Sequence, residues 1–290
     1  MKVWLVGAKG MLGQAVSKAL DTAAIAHVDT DAEVDLTDPA VVDAFAERER
    51  PDWIVNCAAY TAVDQAEDEE AQALKLNANG PANLSAAAAK SGASLIHIST
   101  DYVFSGDLDR RYREDDTPNP ESAYGRTKLA GEKAVRERLN QHVIIRTAWL
   151  YGHGGKNFVE TMLGLMAERD ELTIVDDQIG SPTNAADLAN AIATIVGHRQ
   201  PTYGTFHYSG TGECSWYGFA SEIYRQAREI GLISSECALR PVTSDQFPQK
   251  AKRPSNSCLS KEKIGAAYGI VPPVWEDSLH RYLTERTSHE

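Results

Sequence analysis

The sequence is poor in cysteine and in basic residues, and it contains no long apolar run. The four cysteines show neither a Cys-x-x-Cys pair nor a Cys/His spacing typical of metal sites, and they lie at Cys57, Cys214, Cys237 and Cys258. The eight histidines form no metal-ligand pattern. We therefore predict no metal site, and we expect reduced, buried thiols in a cytoplasmic protein.

The deficit of positive charge excludes several classes of partner. Lysine and arginine number 29 against 41 aspartates and glutamates, which gives a net charge of −12. Nucleic acids and anionic membranes bind clustered basic residues, so we expect neither as a partner. The N-terminal MKVWLVGAKG has too few apolar residues before its first glycine for a signal peptide, and no segment approaches the ~20 residues of a membrane span.

The first half of the chain alternates short apolar runs with amphipathic stretches. The runs predict strands, at Lys2–Val6, Ile25–Asp29, Trp53–Asn56, Ser94–Ser99 and His142–Arg146. The stretches between them predict helices, at Met11–Leu20, Pro39–Arg48, Ala71–Lys90 (with a break or start at Gly80-Pro81) and Tyr124–Leu139. This alternation predicts an α/β fold with a doubly wound parallel sheet.

A glycine loop joins the first strand to the first helix. It is the GxxGxxG run Gly7-Ala8-Lys9-Gly10-Met11-Leu12-Gly13. Glycines let the backbone approach a pyrophosphate, and a helix N-terminus supplies unpaired N–H groups with a positive dipole. The alternative is a tight turn without a ligand, but the strand–loop–helix context favours dinucleotide binding.

Two residues near this loop predict opposite cofactors. Asp29 ends the second strand 19 residues after Gly10, where a carboxylate bonds the ribose hydroxyls of NAD. Lys9, inside the loop, is placed to meet the 2′-phosphate of NADP. Asp35 and Leu36 are candidates for the adenine pocket, although Asp35 suits a turn or helix cap equally well. The choice between NADPH and NADH therefore stays open.

Tyr124 and Lys128 are four residues apart in a predicted helix, so they share one face. A tyrosine pKa near ~10 is too high for easy proton transfer at neutral pH, and a neighbouring cation lowers it. The pair is thus suited to acid/base chemistry. An exposed helix with an accidental Tyr and Lys is the alternative, and the glycine loop argues against it.

The strand–helix pattern loosens after Tyr151. Helices are predicted near Asn157–Ala167, Ala185–Val196 and Trp216–Arg228, followed by a proline-punctuated stretch from Arg240 to Pro254. We predict a dinucleotide-binding Rossmann domain over residues 1–170. We assign residues 171–290 mainly to a smaller substrate domain, with segments that return to the sheet.

Several motifs together resemble the extended short-chain dehydrogenase/reductases. They are GxxGxxG, NCAAYTAVDQAE after the third strand, HISTDYVFSG after the fourth, and YGRTKLAGE. With RTAWLYG, DDQIGSPT and KRPSNS they follow, over nearly the whole chain, the order found in the dTDP-4-dehydrorhamnose reductase family. The sequence is similar to that family in particular.

The resemblance implies a Rossmann domain with a smaller C-terminal domain that holds a sugar nucleotide. It implies hydride transfer from NADPH or NADH to C4 of dTDP-4-dehydro-6-deoxy-L-mannose, giving dTDP-L-rhamnose. Tyr124 would protonate the C4 oxygen, Lys128 would hold the nicotinamide ribose and lower the tyrosine pKa, and Thr100 would hydrogen-bond the same substrate oxygen. Such a reduction needs no metal and no nucleophile.

The same resemblance assigns the remaining site residues. Asp101 and Trp149 fall where the family contacts the sugar, although Trp149 also suits a core. Arg253, beside Lys252, is placed either to grip the substrate diphosphate or to lie in a solvated loop. The full cofactor set is Gly7, Gly10, Met11, Leu12, Gly13, Asp29, Asp35, Leu36, Ala58, Ala59, Tyr60, Thr61, Tyr124 and Lys128.

Other members of the superfamily provide the alternatives. A 4,6-dehydratase would carry Glu where this chain has Tyr102, and an epimerase would show a different string there. Two further functions stay open: reduction of another NDP-4-keto-6-deoxysugar, and a regulatory role like that of the beta subunit of methionine adenosyltransferase.

Some family members are dimers bridged by Mg²⁺ through glutamates, one of them just after the glycine loop. This chain has Gln14 and Ala15 there, so we predict no metal-bridged dimer and leave a homodimer open.

Overall fold

The computed structural model describes residues 1–287. The strands are β1 (Lys2–Val6), β2 (Ala26–Thr30), β3 (Trp53–Asn56), β4 (Ser94–Thr100), β5 (His142–Thr147), β6 (Leu150–Tyr151), β7 (Glu171–Val175), β8 (Ile179–Gly180), β9 (Thr183–Asn184), β10 (Gly204–His207), β11 (Cys214–Ser215) and β12 (Ala238–Val242). The helices are α1 (Met11–Thr22), α2 (Pro39–Glu49), α3 (Glu70–Leu74), α4 (Gly80–Ser91), α5 (Ala123–Arg138), α6 (Phe158–Glu168), α7 (Ala185–Val196), α8 (Trp216–Glu229), α9 (Glu262–Tyr268) and α10 (Trp275–Thr287).

Six strands form the central sheet in the order β10-β5-β4-β3-β1-β2. Every neighbouring pair in it is parallel. The chain moves outward from β1 to β2 and then crosses over β1 to β3, so the topological switch point lies between β1 and β3. Ligands of such sheets bind at the carboxyl ends of the strands beside this point. The predicted doubly wound parallel sheet is confirmed.

Helices cover both faces of the sheet because its central strands are apolar on both sides. One core lies between the sheet and helices α1 and α7, with Val16 and Ile192 fully buried in it. The other core lies under α2, α4 and α5, with Trp4 and Leu84 fully buried. These layers fix the strand ends from which the cleft residues project.

A third core belongs to the second half of the chain. Helices α6, α8 and α10 bury Met166, Phe219 and Leu283 against one another and against the pair of strands β7 and β12. The last strand of the main sheet, β10, also comes from this half, which agrees with the expectation of segments returning to the sheet. The domain boundary at residue 170 stays a prediction.

Most predicted elements shift by one or two residues. Gly80-Pro81 marks the start of α4, one of the two alternatives that the sequence allowed, and a π-helical turn at Lys75–Asn79 connects α3 directly to it. Pro81 sits in the first turn of α4, where a missing N–H costs little. The turn aims the Asn77 amide at the Tyr60 carbonyl and the Thr127 hydroxyl, both at 3.1 Å, and so links this helix to α5.

Within residues 1–287, none of the helices has both the length and the apolarity that crossing a bilayer requires.

Candidate active site

A cleft of about 1180 Å³ opens at the carboxyl ends of β1, β3, β4 and β5. Its volume exceeds the roughly 300–1,000 Å³ usual for a single small-molecule site. The glycine loop lies on one wall, and Tyr124 and Lys128 on another. The cleft therefore has room for a dinucleotide and a second ligand together.

The glycine loop combines two kinds of glycine. Gly7 has φ +77°, and a Cβ there would lie 2.6 Å from the Ala58 backbone nitrogen, so the loop requires glycine to fold against β3. Gly10 is the N-cap of α1 and lines the cleft, and a Cβ there would meet only the Gly7 carbonyl oxygen, at 3.3 Å. The first turn of α1 thus presents backbone N–H groups to the cleft, as a pyrophosphate requires.

Most of the predicted cofactor residues line this cleft. They are Gly7, Gly10, Met11, Leu12, Asp35, Leu36, Ala58, Ala59, Thr61, Tyr124 and Lys128. Gly13 lies under the loop instead, where a Cβ would come 2.1 Å from the Gly7 carbonyl oxygen. Tyr60 faces α3, since its hydroxyl donates to Glu69 at 2.8 Å. Gly13 and Tyr60 thus support the walls of the cleft.

The structure brings Asp31, and not Asp29, to the cleft. The Asp29 carboxylate accepts a hydrogen bond from the Ser17 hydroxyl at 2.7 Å and lies 3.5 Å from His27, on the α1 side of β2. Asp31 lines the cleft, and its carboxylate accepts from the Lys9 backbone nitrogen at 2.9 Å. Of these two carboxylates, Asp31 faces the cleft, and the placement of Asp29 at the cofactor ribose stays a prediction. Asp29 lies within β2 (Ala26–Thr30), whereas Asp31 is the first residue after it and projects from the loop beyond the strand end.

Helix α5 holds Tyr124 against the end of β4. The Ser122 hydroxyl caps the helix by accepting from the Gly125 nitrogen at 3.1 Å. Gly125 permits a close approach, since a Cβ there would lie 2.2 Å from the Tyr102 carbonyl oxygen. The rings of Tyr102 and Tyr124 pack edge to face at 5.5 Å. This docking places the Tyr124 phenol beside Thr100.

Burial raises the pKa of Tyr124, and the Asp101 carboxylate adds to the rise, while a hydrogen bond from Thr100 opposes both. The expected lowering of the tyrosine pKa by Lys128 is not found. The Lys128 ammonium instead donates to the Ile98 carbonyl oxygen at 2.6 Å, and burial lowers its own pKa to about 8. Tyr124 is thus a protonated phenol at neutral pH, the form that can donate a proton.

A buried ion pair beneath the cleft was not evident from the sequence. Glu132 lies one helical turn after Lys128 and accepts two hydrogen bonds from Arg146, both at 2.8 Å, and one from Ser99 at 2.6 Å. Burial alone would raise the pKa of Glu132, but Arg146 overcomes that effect and holds it at about 2. The resulting carboxylate favours the charged form of Lys128.

Trp149 lines the cleft and is also part of an aromatic cluster. Its φ is +49°, an uncommon conformation for a bulky side chain. Its ring stacks on Trp216 at 3.6 Å between centroids, and a Cβ on Gly180 would lie 2.4 Å from it. Trp149 therefore both lines the cleft and packs in a core cluster, and its contact with a sugar stays a prediction. Backbone strain of this kind clusters at binding sites.

Asp101 and Arg253 occupy different environments. Asp101 is buried beside Thr100. Burial raises the pKa of Asp101 to about 6, although hydrogen bonds from Ser257 and Thr100 act to lower it. The Arg253 guanidinium donates to both oxygens of Asp64, at 2.9 and 2.7 Å, and so holds the pKa of that carboxyl at about 2. Arg253 is thus paired with Asp64 and does not appear among the residues that line the cleft.

Further residues of the cleft were missed by the sequence argument. Gly154, Gly155 and Lys156 reach it from the loop before α6, with Gly155 beside Met11 and Gly154 beside Gln14. The glycine-rich string HGGK was the available signal. In the part of the chain that the structure describes, no group of three or more His, Cys, Asp or Glu side chains is arranged to hold a metal ion.

A doubly wound sheet, a glycine loop at its switch point and a Thr-Tyr-Lys set across the same cleft define a nicotinamide-dependent oxidoreductase of the extended short-chain dehydrogenase/reductase class. The chain matches the family model described as RmlD substrate binding domain over residues 1–288. It belongs to that family.

Individual relatives agree with this assignment. The chain is 41% identical to the spore coat polysaccharide biosynthesis protein SpsK of Bacillus subtilis, covering 99% of this chain and 98% of that protein. It is 38% identical to the dTDP-4-dehydrorhamnose reductase of Escherichia coli, with 98% of each covered. A crystal structure of dTDP-4-dehydrorhamnose reductase from Bacillus anthracis in complex with NADP superposes with a TM-score of 0.92 at 40% identity, covering 98% of this chain and 99% of that one.

Proposed function

We propose that this protein reduces the C4 ketone of dTDP-4-dehydro-6-deoxy-L-mannose to dTDP-L-rhamnose with NADPH or NADH, the last step of dTDP-L-rhamnose biosynthesis. The observation that carries the proposal is the convergence of Thr100, Tyr124 and Lys128 on the cleft that also holds the glycine loop. Membership of the family supports the same activity.

The nicotinamide supplies a hydride when bound, and the chain's own residues handle the charge that develops on the ketone oxygen. Tyr124 donates its phenolic proton to that oxygen, since the phenol is protonated at neutral pH. Thr100 hydrogen-bonds the same oxygen from the end of β4. Lys128, held by the Ile98 carbonyl, orients the nicotinamide ribose.

The remaining roles are assigned by position in the cleft. The backbone of Gly10, Met11 and Leu12 receives the pyrophosphate, and Asp31 meets the adenosine ribose. Asp101 and Trp149 contact the sugar of a dTDP-sugar substrate. Arg253 would reach the substrate diphosphate only after leaving Asp64. A cytoplasmic location and a homodimer stay predictions from the sequence.

Turnover with purified protein tests the proposal. NADPH and NADH oxidation would be followed with a panel of NDP-4-keto-6-deoxysugars, and the product would be identified as dTDP-L-rhamnose by NMR. The Tyr124→Phe variant is the negative control. The matched positive control is Tyr203→Phe, which removes a hydroxyl that bonds Ser94 far from the cleft.

Reduction of the dTDP-4-keto sugar by the wild type and by Tyr203→Phe is the expected result. If only a different nucleotide sugar were reduced, the proposed substrate would be wrong and the proposed ketone reduction would stand. Absence of any reduction, together with co-purification of a methionine adenosyltransferase, would replace the proposal with the regulatory-subunit alternative.

A further inference from the structure

The segment from Ala251 to Cys258, called the strap below, crosses from the second half of the chain to the cofactor-binding half. At one end the Ala251 nitrogen and the Arg253 guanidinium donate to Asp64. In its middle the Ser255 hydroxyl donates to the Gly106 carbonyl at 2.8 Å. At the other end the Cys258 carbonyl accepts from the Tyr112 nitrogen at 2.8 Å. The strap is thus attached along its length.

One strap side chain reaches the reacting end of the cleft. The Ser257 hydroxyl donates to Oδ2 of Asp101 at 2.5 Å, and the Thr100 hydroxyl donates to Oδ1 of the same carboxylate at 2.9 Å. All three residues are at most 5% exposed. The Thr100 side chain lies beside the Tyr124 phenol and lowers its pKa. Hydrogen bonds therefore run from the strap through Asp101 to Thr100, the neighbour of the phenol.

The strap also contacts the opposite wall of the cleft. The Ser257 nitrogen donates to the Ile179 carbonyl, and the Ile179 nitrogen donates to the Ser255 carbonyl, both at 2.8 Å. Gly180, the next residue, packs against the Trp149 ring. Ser257 is thus fixed by backbone bonds on one side while its hydroxyl bonds Asp101 on the other.

We propose that Ser257 is a positioning residue for the reduction: it holds the Asp101 carboxylate, which fixes the Thr100 hydroxyl beside Tyr124. A buried carboxylate with both oxygens bonded has one orientation, whereas one bonded at a single oxygen can rotate. Ser257 does not itself line the cleft and has no hydrogen bond to the phenol, so it acts through Asp101, which does line the cleft. The inference rests on the proposed function, since it assigns a role in that same reaction.

The protonation state of Asp101 provides a readout of this contact. The pKa of Asp101 is about 6, raised by burial and lowered by the hydroxyls of Ser257 and Thr100. The titratable groups that feel its charge are Tyr124 on α5 and Tyr102 beside it, and Arg253 and Asp64 act on Tyr102. Removing the Ser257 hydroxyl removes one bond that favours the charged form, so the Asp101 pKa must rise.

The test compares Ser257→Ala with a matched control, Ser255→Ala. The control also removes a hydroxyl from the strap, but that hydroxyl bonds only the backbone carbonyl of Gly106. We expect kcat of Ser257→Ala to fall roughly tenfold, with the KM for the reduced cofactor unchanged. We expect the inflection near pH 6 in its pH–rate profile to move upward by about one unit. Ser257→Thr should restore both values, and Asp101→Asn should abolish the inflection.

The outcomes separate this inference from the proposed function. A wild type that reduces no 4-keto sugar overturns the function. If the wild type is active but has the same pH–rate profile as Ser257→Ala, the inference alone is overturned. The same holds if kcat falls as much in Ser255→Ala as in Ser257→Ala. If Ser257→Ala does not fold, the test uses Ser257→Thr and Asp101→Asn instead. An inflection near pH 6 that persists unchanged in the pH–rate profile of Asp101→Asn overturns the inference.

Discussion

The Lys128 ammonium donates to the carbonyl oxygen of Ile98 across 2.6 Å, so the end of β4 fixes the lysine that follows Tyr124 by one helical turn. This contact explains why Lys128 keeps a hydrogen-bond partner although it is 2% exposed. Independently of this contact, burial raises the pKa of the Tyr124 phenol, which is protonated at neutral pH. The arrangement suits a reductase, whose tyrosine must donate a proton.

Replacing Tyr124 with Phe should abolish most turnover. The ring still packs against Tyr102, but the proton donor is gone, and general acid catalysis contributes about 10²–10⁴-fold. Steady-state kcat would measure the loss, and fluorescence titration should show unchanged NADPH affinity. Tyr203→Phe should retain the wild-type rate. More than half the wild-type rate in Tyr124→Phe would remove this residue from the mechanism.

Cofactor affinity should depend on pH through Lys128. Burial lowers its pKa to about 8, so the side chain is charged below that pH and neutral above it. A neutral amine holds a ribose hydroxyl less well, and NADPH affinity should therefore fall as the pH rises through about 8. In Lys128→Met the affinity should be lower throughout, and the fall should disappear. Binding measured by titration from pH 6.5 to 9.5 (a range of ~3 units around that pKa) checks this, and a parallel fall in both proteins would contradict it.

The glycine loop should tolerate a side chain at Gly10 structurally but not functionally. A Cβ there would meet only the Gly7 carbonyl, so Gly10→Val should fold, while its methyl groups would occupy the space where a pyrophosphate approaches. Loss of NADPH binding with native circular dichroism is the expected result. The control is Gly164→Val on α6, where a Cβ has nothing within 4 Å. Unchanged NADPH affinity in Gly10→Val would make the loop only a turn.

The two aspartates at the end of β2 provide a matched pair for cofactor preference. Asp31 lines the cleft and should repel a 2′-phosphate, whereas Asp29 bonds Ser17 outside it. We expect Asp31→Ala to raise the kcat/KM ratio of NADPH over NADH by about tenfold, since a charge near a partly solvated surface contributes a few kcal/mol at most. Asp29→Ala should leave the ratio unchanged. The reverse pattern would restore Asp29 to the ribose.

The sequence was sufficient for the parts of the protein that depend on local patterns. The alternation of apolar runs and helical stretches predicted the parallel sheet, and β1 (Lys2–Val6) and β3 (Trp53–Asn56) were placed without error. The spacing of Tyr124 and Lys128 fixed their common helical face, and its strand-end position placed Thr100 at the cleft. These features follow from the periods of helix and strand, which the residue order alone sets.

Only the tertiary structure decided which polar groups meet. Asp29, inside β2, bonds Ser17 on α1, whereas Asp31, the first residue after the strand, lines the cleft. The partners of Lys128, Arg253 and Asp101 lie 30, 189 and 156 residues away along the chain. Contacts across such separations depend on how the layers pack. Burial sets the pKa values of Tyr124 and Asp101 in the same way, so the protonation states at this site are properties of the fold.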